Sequence, residues 1–309
     1  MVERHLQQPA GARPPPLAPS PPAAVGKLRL TGPRRVLIAA LALENHLHPR
    51  LFRWFLGAVL RAVVADRQVL APYGVLTLPV DLSEGCDREI YRYAYDPPVV
   101  NFLRTALRPG DLYVDIGANA GVLVAEAANG VGPDGMVLAI EPNPRLAGRL
   151  REAAGNCPAP RIEVLNLAVG DQEGKLPFYL SSSHPYSSLL REALPDYPID
   201  SVIEVEVRTL DTVMREVVEP LAADQPFRVL KVDAQGMETR ILTGGMGMLG
   251  ERPPDFIVIE MQPGDLDPTA GLLAPFGYTP NRLLETGALV ALGTQPSMSE
   301  DVVFARHES

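Results

Sequence analysis

The sequence predicts an α/β fold: a mostly parallel sheet with helices on both faces, preceded by an N-terminal helical extension. Two observations predict it. From about residue 97 onward, short Val/Ile/Leu-rich runs alternate with helix-like runs, the pattern of strands buried on both sides and joined by crossover helices. A glycine-bearing acidic loop, Asp115-Ile-Gly117-Ala-Asn119-Ala-Gly121, also stands where the first of those strands hands over to a helix, and such sheets bind ligands at the carboxyl ends of their strands.

The strand segments are Leu112–Ile116, Met136–Glu141, Ile162–Leu167, Phe227–Asp233 and Phe256–Met261. Helical segments lie between them at 119–129, 143–154, 209–218 and 237–249. Lys175–Leu180 and Ile203–Arg208 alternate like paired strands around a polar loop, 181–201, and Asp301–Ala305 reads as a late antiparallel strand. Upstream, Gln68 to Pro79 reads as short strands around Pro72-Tyr73-Gly74. Residues 34–65 are helical in two pieces broken at Pro49, with Leu51, Phe52, Phe55, Leu56, Val59, Leu60 and Val63 forming an apolar stripe. That stripe packs on the main domain or caps its pocket; a helix lying on a membrane surface is the alternative. Residues 1–26 hold seven of the 32 prolines and read as a disordered tail, because they cannot bury enough apolar surface to offset the entropy of ordering. The expected organisation is a tail (1–26), an extension placed to cap a substrate pocket (27–96) and a cofactor-binding domain (97–309).

Composition narrows the function. Of 309 residues, 46% are hydrophobic and 21% charged, and the net charge is −9, so the chain has no general attraction for a phosphate backbone and nucleic acid is not the expected partner. Two cysteines exclude a disulfide framework and a Cys-rich zinc site. No apolar run reaches the length that spans a bilayer, and the expected location is the cytoplasm. Oligomeric state is not encoded in any readable pattern.

The Asp115–Gly121 loop carries the strongest chemical signal. Gly117 permits a tight turn, Gly121 lets the following helix approach the ligand or the strand closely, and the N–H groups opening that helix suit a carboxylate. Asp115 suits an ammonium group. Glu141 closes the next strand 20 residues after Gly121, about the spacing at which an acidic residue grips a ribose diol. A dinucleotide fingerprint requires glycines where Asn119 and Val122 stand, and an aspartate two residues before Gly117 would repel a pyrophosphate. An amino-acid-bearing nucleoside fits better.

Five stretches together resemble one family: Val114-Asp115-Ile-Gly-Ala118-Asn119-Ala-Gly121, Glu141-Pro-Asn143-Pro, Asn166-Leu-Ala168-Val169-Gly-Asp171, Thr209-Leu-Asp211, and Leu230-Lys231-Val-Asp233-Ala-Gln235-Gly236-Met-Glu238. Their order is similar to that of the FkbM-type methyltransferases. The resemblance implies a class I, Rossmann-like fold with a seven-stranded mostly parallel sheet. It implies S-adenosylmethionine as cofactor and O-methylation of a small hydroxylated acceptor (a sugar, glycolipid or polyketide of natural-product type). Carried over by residue, it implies cofactor contacts from Asp115, Gly117, Ala118, Asn119, Gly121, Glu141 and Asn143, with Ala168 and Val169 near the adenine. The family usually reads Lys-Ile-Asp-Val-Glu-Gly where this chain has Ala234 and Gln235.

A hydroxyl acceptor must lose its proton. The candidates for that role are Asp233 and Glu260, at the ends of adjacent strands, and His184 in the polar loop. No metal is expected: Asp233 and Glu260 are only two oxygen-bearing ligands, and His46 and His48 lie on different helix faces. Asp96-Pro97-Pro98-Val99 resembles the Asp-Pro-Pro-Tyr motif of enzymes that methylate bases, but Val99 cannot stack a base, so the segment reads as a turn. Gly244-Gly245-Met-Gly247 reads as a helix C-terminal cap. The altered Asp233–Gly236 stretch also leaves open a cofactor-binding interaction protein, and a nicotinamide-dependent oxidoreductase is the third alternative.

Overall fold

The computed structural model describes residues 68–82, 85–91, 94–181, 187–193, 198–293 and 295–307. The Pro-rich tail, the 34–65 helices, His46, His48 and His184 lie outside the described residues.

A hairpin of β1 (Gln68–Tyr73) and β2 (Leu76–Asp81) comes first, followed by α1 (Gly85–Tyr91) and α2 (Pro97–Ala106). The main sheet then starts with β3 (Leu112–Ile116), α3 (Val122–Val131), β4 (Met136–Ile140), α4 (Pro144–Gly155) and β5 (Arg161–Leu165). A side sheet follows, made of β6 (Ala168–Gly170), β7 (Gly174–Ser181) and β8 (Ile199–Thr209). The chain continues through α5 (Leu210–Val213), a π-helical turn (Met214–Val218) and α6 (Glu219–Ala222). It returns with β9 (Phe227–Val232), α7 (Glu238–Thr243), α8 (Met246–Glu251), β10 (Phe256–Met261) and α9 (Leu266–Leu273). The last strands are β11 (Tyr278–Leu283), β12 (Leu289–Ala291) and β13 (Glu300–Arg306).

The main sheet runs β12-β11-β13-β10-β9-β3-β4-β5. Its five strands from β5 to β10 are parallel, while β13, β11 and β12 pair antiparallel. It therefore has eight strands where seven were expected; the extra one is three-residue β12 on the edge. β3 sits at the reversal of strand order, with the chain winding outward from it in both directions, and this leaves a crevice beyond its carboxyl end.

Alternation explains the burial of both faces. Leu112, Val114 and Ile116 pack on one side with Leu138, Val232, Ile259, Ile241 and Leu242. Tyr113 points to the other, with Val137, Val229, Val258, Phe102, Leu103 and Leu150. Each such aliphatic side chain contributes about 1.5–3 kcal/mol on burial, so these two layers dominate the stability. The hairpin residues Leu76 and Leu78 belong to the second layer. Arg149 of α4 ties the hairpin down through the carbonyl of Pro79 and the carboxylate of Asp87 (2.8 Å). Arg104 and Glu126 join α2 to α3 through two hydrogen bonds of 3.0 and 2.8 Å.

Three local expectations are corrected. The first helix after β3 begins at Val122, not 119, because Asn119 (φ 50°) and Gly121 (φ 89°) are left-handed. The expected 237–249 helix is two helices, and Gly245 opens the second. Asp211 accepts from Gly247 N and Met248 N at the start of that second helix (3.0 and 2.7 Å), so the Gly-rich stretch is not simply a terminal cap. Asp96-Pro97-Pro98 opens α2, where prolines without N–H groups cost nothing. No helix among the described residues is long and apolar enough to cross a membrane.

Candidate cofactor and methyl-transfer site

A cleft opens at the carboxyl ends of β3, β4 and β9. Gly117, Asn119, Glu141, Ala168, Val169 and Asp233 line it, together with Phe178, Leu189 and Gln235. A smaller recess beside it is bounded by Asp115, Ala118, Gly121, Tyr95 and Lys231.

Gly117 sits where β3 gives way to the loop. Its φ is 84°, and a Cβ there would lie 1.8 Å from the carbonyl oxygen of Asp233, so only glycine lets the loops after β3 and β9 touch. At Gly121 (φ 89°) a Cβ would meet Leu150 Cδ1 of α4 at 2.4 Å. The close approach there includes one to a neighbouring helix.

Glu141 is buried and holds two loops. Its Oε2 accepts from Asn119 N and its Oε1 from Asn143 N, both at 2.8 Å. Burial pushes its carboxyl up to about 7 against those two donations. Each oxygen keeps a further lone pair for a ribose hydroxyl. Asn143 itself turns away: its Oδ1 accepts from Arg145 N at 3.0 Å and caps α4. Asn166 Nδ2 donates to the carbonyls of Glu141 and Pro142, both at 2.9 Å, and so fixes the loop from the other side. Ala168 and Val169 form an apolar wall with Leu167, Phe178 and Leu189, a slot suited to a flat base.

Asp115 is 1% exposed, and no described residue meets either carboxylate oxygen with ordinary hydrogen-bond geometry, although the buried Tyr113 hydroxyl on the same strand acts on it. Burial pushes it up to about 6, against the pull of Lys231. A buried acceptor pair left without well-placed donors is costly unless a ligand supplies them. A methionine ammonium has the required charge and N–H groups, so the residues present fit S-adenosylmethionine.

Lys231 is 3% exposed, a cation in the buried carboxyl-terminal half of its strand. It lies opposite Asp115 in the parallel register and donates to Asp233 Oδ2 at 3.0 Å. Burial would lower its pKa, but Asp233, Asp115 and Asp301 hold it above the ordinary lysine value. Asp233 shows the reverse balance. Burial raises its carboxyl, yet Lys231 and the hydrogen bonds from Lys231 and Gln235 keep it below the usual carboxylate range. Glu260 is pushed up to about 7 by burial and by the charge of Asp233. Asp233 is therefore the more acidic of the two, and Glu260 the first to take up a proton.

The structure thus brings Asp115, Gly117, Ala118, Asn119, Gly121, Glu141, Ala168, Val169 and Asp233 around one crevice, with Glu260 joined to Asp233 through Gln235. It does not bring the Asn143 side chain there. No group of three or more His, Cys, Asp or Glu residues among the described residues is arranged to hold a metal. Sequence reasoning gave no role to Lys231 or Asp301. Lys231 could have been found as the charge set between the apolar residues Leu230 and Val232. Asp301 is the register partner of Glu260, and burial raises its carboxyl well above the ordinary value.

A family model described as the methyltransferase FkbM domain matches residues 115–276. Among solved structures the chain is similar to methyltransferase FkbM from Methylobacillus flagellatus, with 15% identity and a TM-score of 0.40 over 71% of this chain and 54% of that one. It is also similar to precorrin-6y C5,15-methyltransferase from Geobacter metallireducens (14%, TM-score 0.37, 68% and 87%). A third is TYW2 of M. jannaschii in complex with AdoMet (12%, TM-score 0.39, 78% and 86%). The chain spans about half the length of the Methylobacillus protein. No curated protein matches it.

Proposed function

The chain belongs to the FkbM methyltransferase family, and on that premise we propose that it moves the methyl group of S-adenosylmethionine to a hydroxyl of a small metabolite, with Asp233 as the base. The observation that carries the reading is Asp115, whose two buried oxygens lack well-placed donors at the carboxyl end of the central strand. A sugar, glycolipid or polyketide is the acceptor class.

When bound, the cofactor supplies an electrophilic methyl on a sulfonium. The protein's own residues supply grip, orientation and a proton acceptor. Asp115 would hold the ammonium, Glu141 the ribose hydroxyls, and the Ala168–Val169 wall the adenine. Asp233 stays ionised at neutral pH and its side chain is 28% exposed. Each of its oxygens already accepts one donor, from Lys231 or Gln235, and a free lone pair on either can take the acceptor's proton. The acidic surroundings favour a cationic cofactor and disfavour pyrophosphate.

Two measurements test this. Saturating S-adenosylmethionine, or its demethylated product, should raise the thermal midpoint of the purified protein, and Asp233→Ala should abolish transfer of a labelled methyl to hydroxylated acceptors. Absence of any thermal shift with either nucleoside would sink the reading.

A further inference from the structure

Gln235 joins the two carboxylates at the heart of the site. Its Nε2 donates to Asp233 Oδ1 at 3.0 Å and to Glu260 Oε2 at 2.8 Å. An amide nitrogen carries two hydrogens, and here each serves one carboxylate. The backbone aims the side chain. Gln235 is left-handed (φ 52°), and its carbonyl accepts from the buried Ser188 hydroxyl at 2.9 Å. The flanking N–H groups of Ala234 and Gly236 are held by Glu238 (2.9 and 3.0 Å). On the far side, Ser299 Oγ donates to Glu260 Oε1 at 2.9 Å. Two carboxylates converging on one point form a place where an oxygen-loving divalent cation could bind. In this chain an uncharged N–H₂ group already fills that point.

We propose that Gln235 is a positioning residue whose amide takes the bridging place between Asp233 and Glu260 that a divalent cation would otherwise take, holding Asp233 toward the acceptor without a metal. The inference rests on Asp233 being the base. Replacing the amide by a carboxylate removes the two donated hydrogens and gathers three carboxyl groups, whose mutual repulsion a bound divalent cation relieves more fully than a shared proton does. Replacing it by a methyl leaves two carboxylates facing each other and deprives Asp233 of a donor, so its pKa rises.

Mn²⁺ titration of the full chain, read by the paramagnetic resonance of the free ion, compares the wild type, Gln235→Glu and Gln235→Ala. Gln235→Glu should bind Mn²⁺ at least about tenfold more tightly than the wild type, and wild-type methyl transfer should survive EDTA. In Gln235→Ala the acid limb of the kcat–pH profile should move up by about one pH unit. Equal Mn²⁺ affinity in wild type and Gln235→Glu overturns the proposal, and so does an unmoved acid limb. If Gln235→Glu does not fold, the Gln235→Ala profile decides. If the wild type binds S-adenosylmethionine yet methylates nothing, the functional reading fails and the Mn²⁺ comparison of the variants still decides this one.

Discussion

Glu141 Oε2 accepts the backbone N–H of Asn119 at 2.8 Å, and this bond ties the loop after β3 to the end of β4. The other oxygen takes Asn143 N at the same distance. Glu141→Ala leaves two N–H groups without that acceptor. Each such loss costs about 1–3 kcal/mol, so chemical denaturation near pH 5, below the raised Glu141 carboxyl, should report a destabilisation of about 2–6 kcal/mol. S-adenosylmethionine affinity should fall at least about tenfold by calorimetry. A variant that binds the cofactor normally would remove Glu141 from the site.

Asp115→Asn should show opposite signs in stability and binding. The Asp115 carboxyl rises from 3.8 to about 6 on folding, so the native state binds the extra proton. The stability it contributes is present below about pH 4 and is lost as pH rises through 6. At pH 8 the cofactor-free variant should therefore be more stable than the wild type, by about 2–3 kcal/mol, with the gain fading toward pH 4. Cofactor affinity at pH 8 should drop by about 10–100-fold, the worth of a charged hydrogen bond. Parallel melts across pH, with and without S-adenosylmethionine, check both halves.

Gly117→Ala should be severe. The added Cβ falls 1.8 Å from the Asp233 carbonyl, at a φ of 84°, so two loops must separate. A loss of at least about 2 kcal/mol, together with loss of cofactor binding, is expected from melts and calorimetry. Gly148→Ala, in open space on α4, is the control and should be neutral or slightly stabilising.

Asp233→Asn should separate binding from chemistry. The amide keeps the shape but loses the charge that pairs with Lys231. Methyl transfer should fall by about 100-fold or more, while cofactor affinity changes by only a few fold. Equal losses in both would make Asp233 a cofactor residue and not the base.

Several elements are legible in the amino-acid sequence itself. β3 and β10 have the bounds read from their apolar runs, and β13 is antiparallel as expected. Those runs are buried on both faces, so their composition alone marks them. β11 gives no clear strand signal because Tyr278–Leu283 carries a proline and three polar residues, Thr279, Asn281 and Arg282, and is only partly buried. α2 is masked because its two leading prolines resemble a turn, although prolines are harmless in a helix's first turn.

By itself the sequence determined the sheet class, the crevice-forming loop at Asp115–Gly121 and the acidic residue at position 141. Apolar periodicity, glycine spacing and distance along the chain are local properties, readable from neighbours in sequence. Only the tertiary structure decided which polar groups meet. It set Lys231 against Asp233, put Asp301 across from Glu260, turned Asn143 into a helix cap and stretched the Gln235 amide between two carboxylates. Those pairings depend on strand register and loop contact between segments far apart in the chain, and no local pattern encodes them.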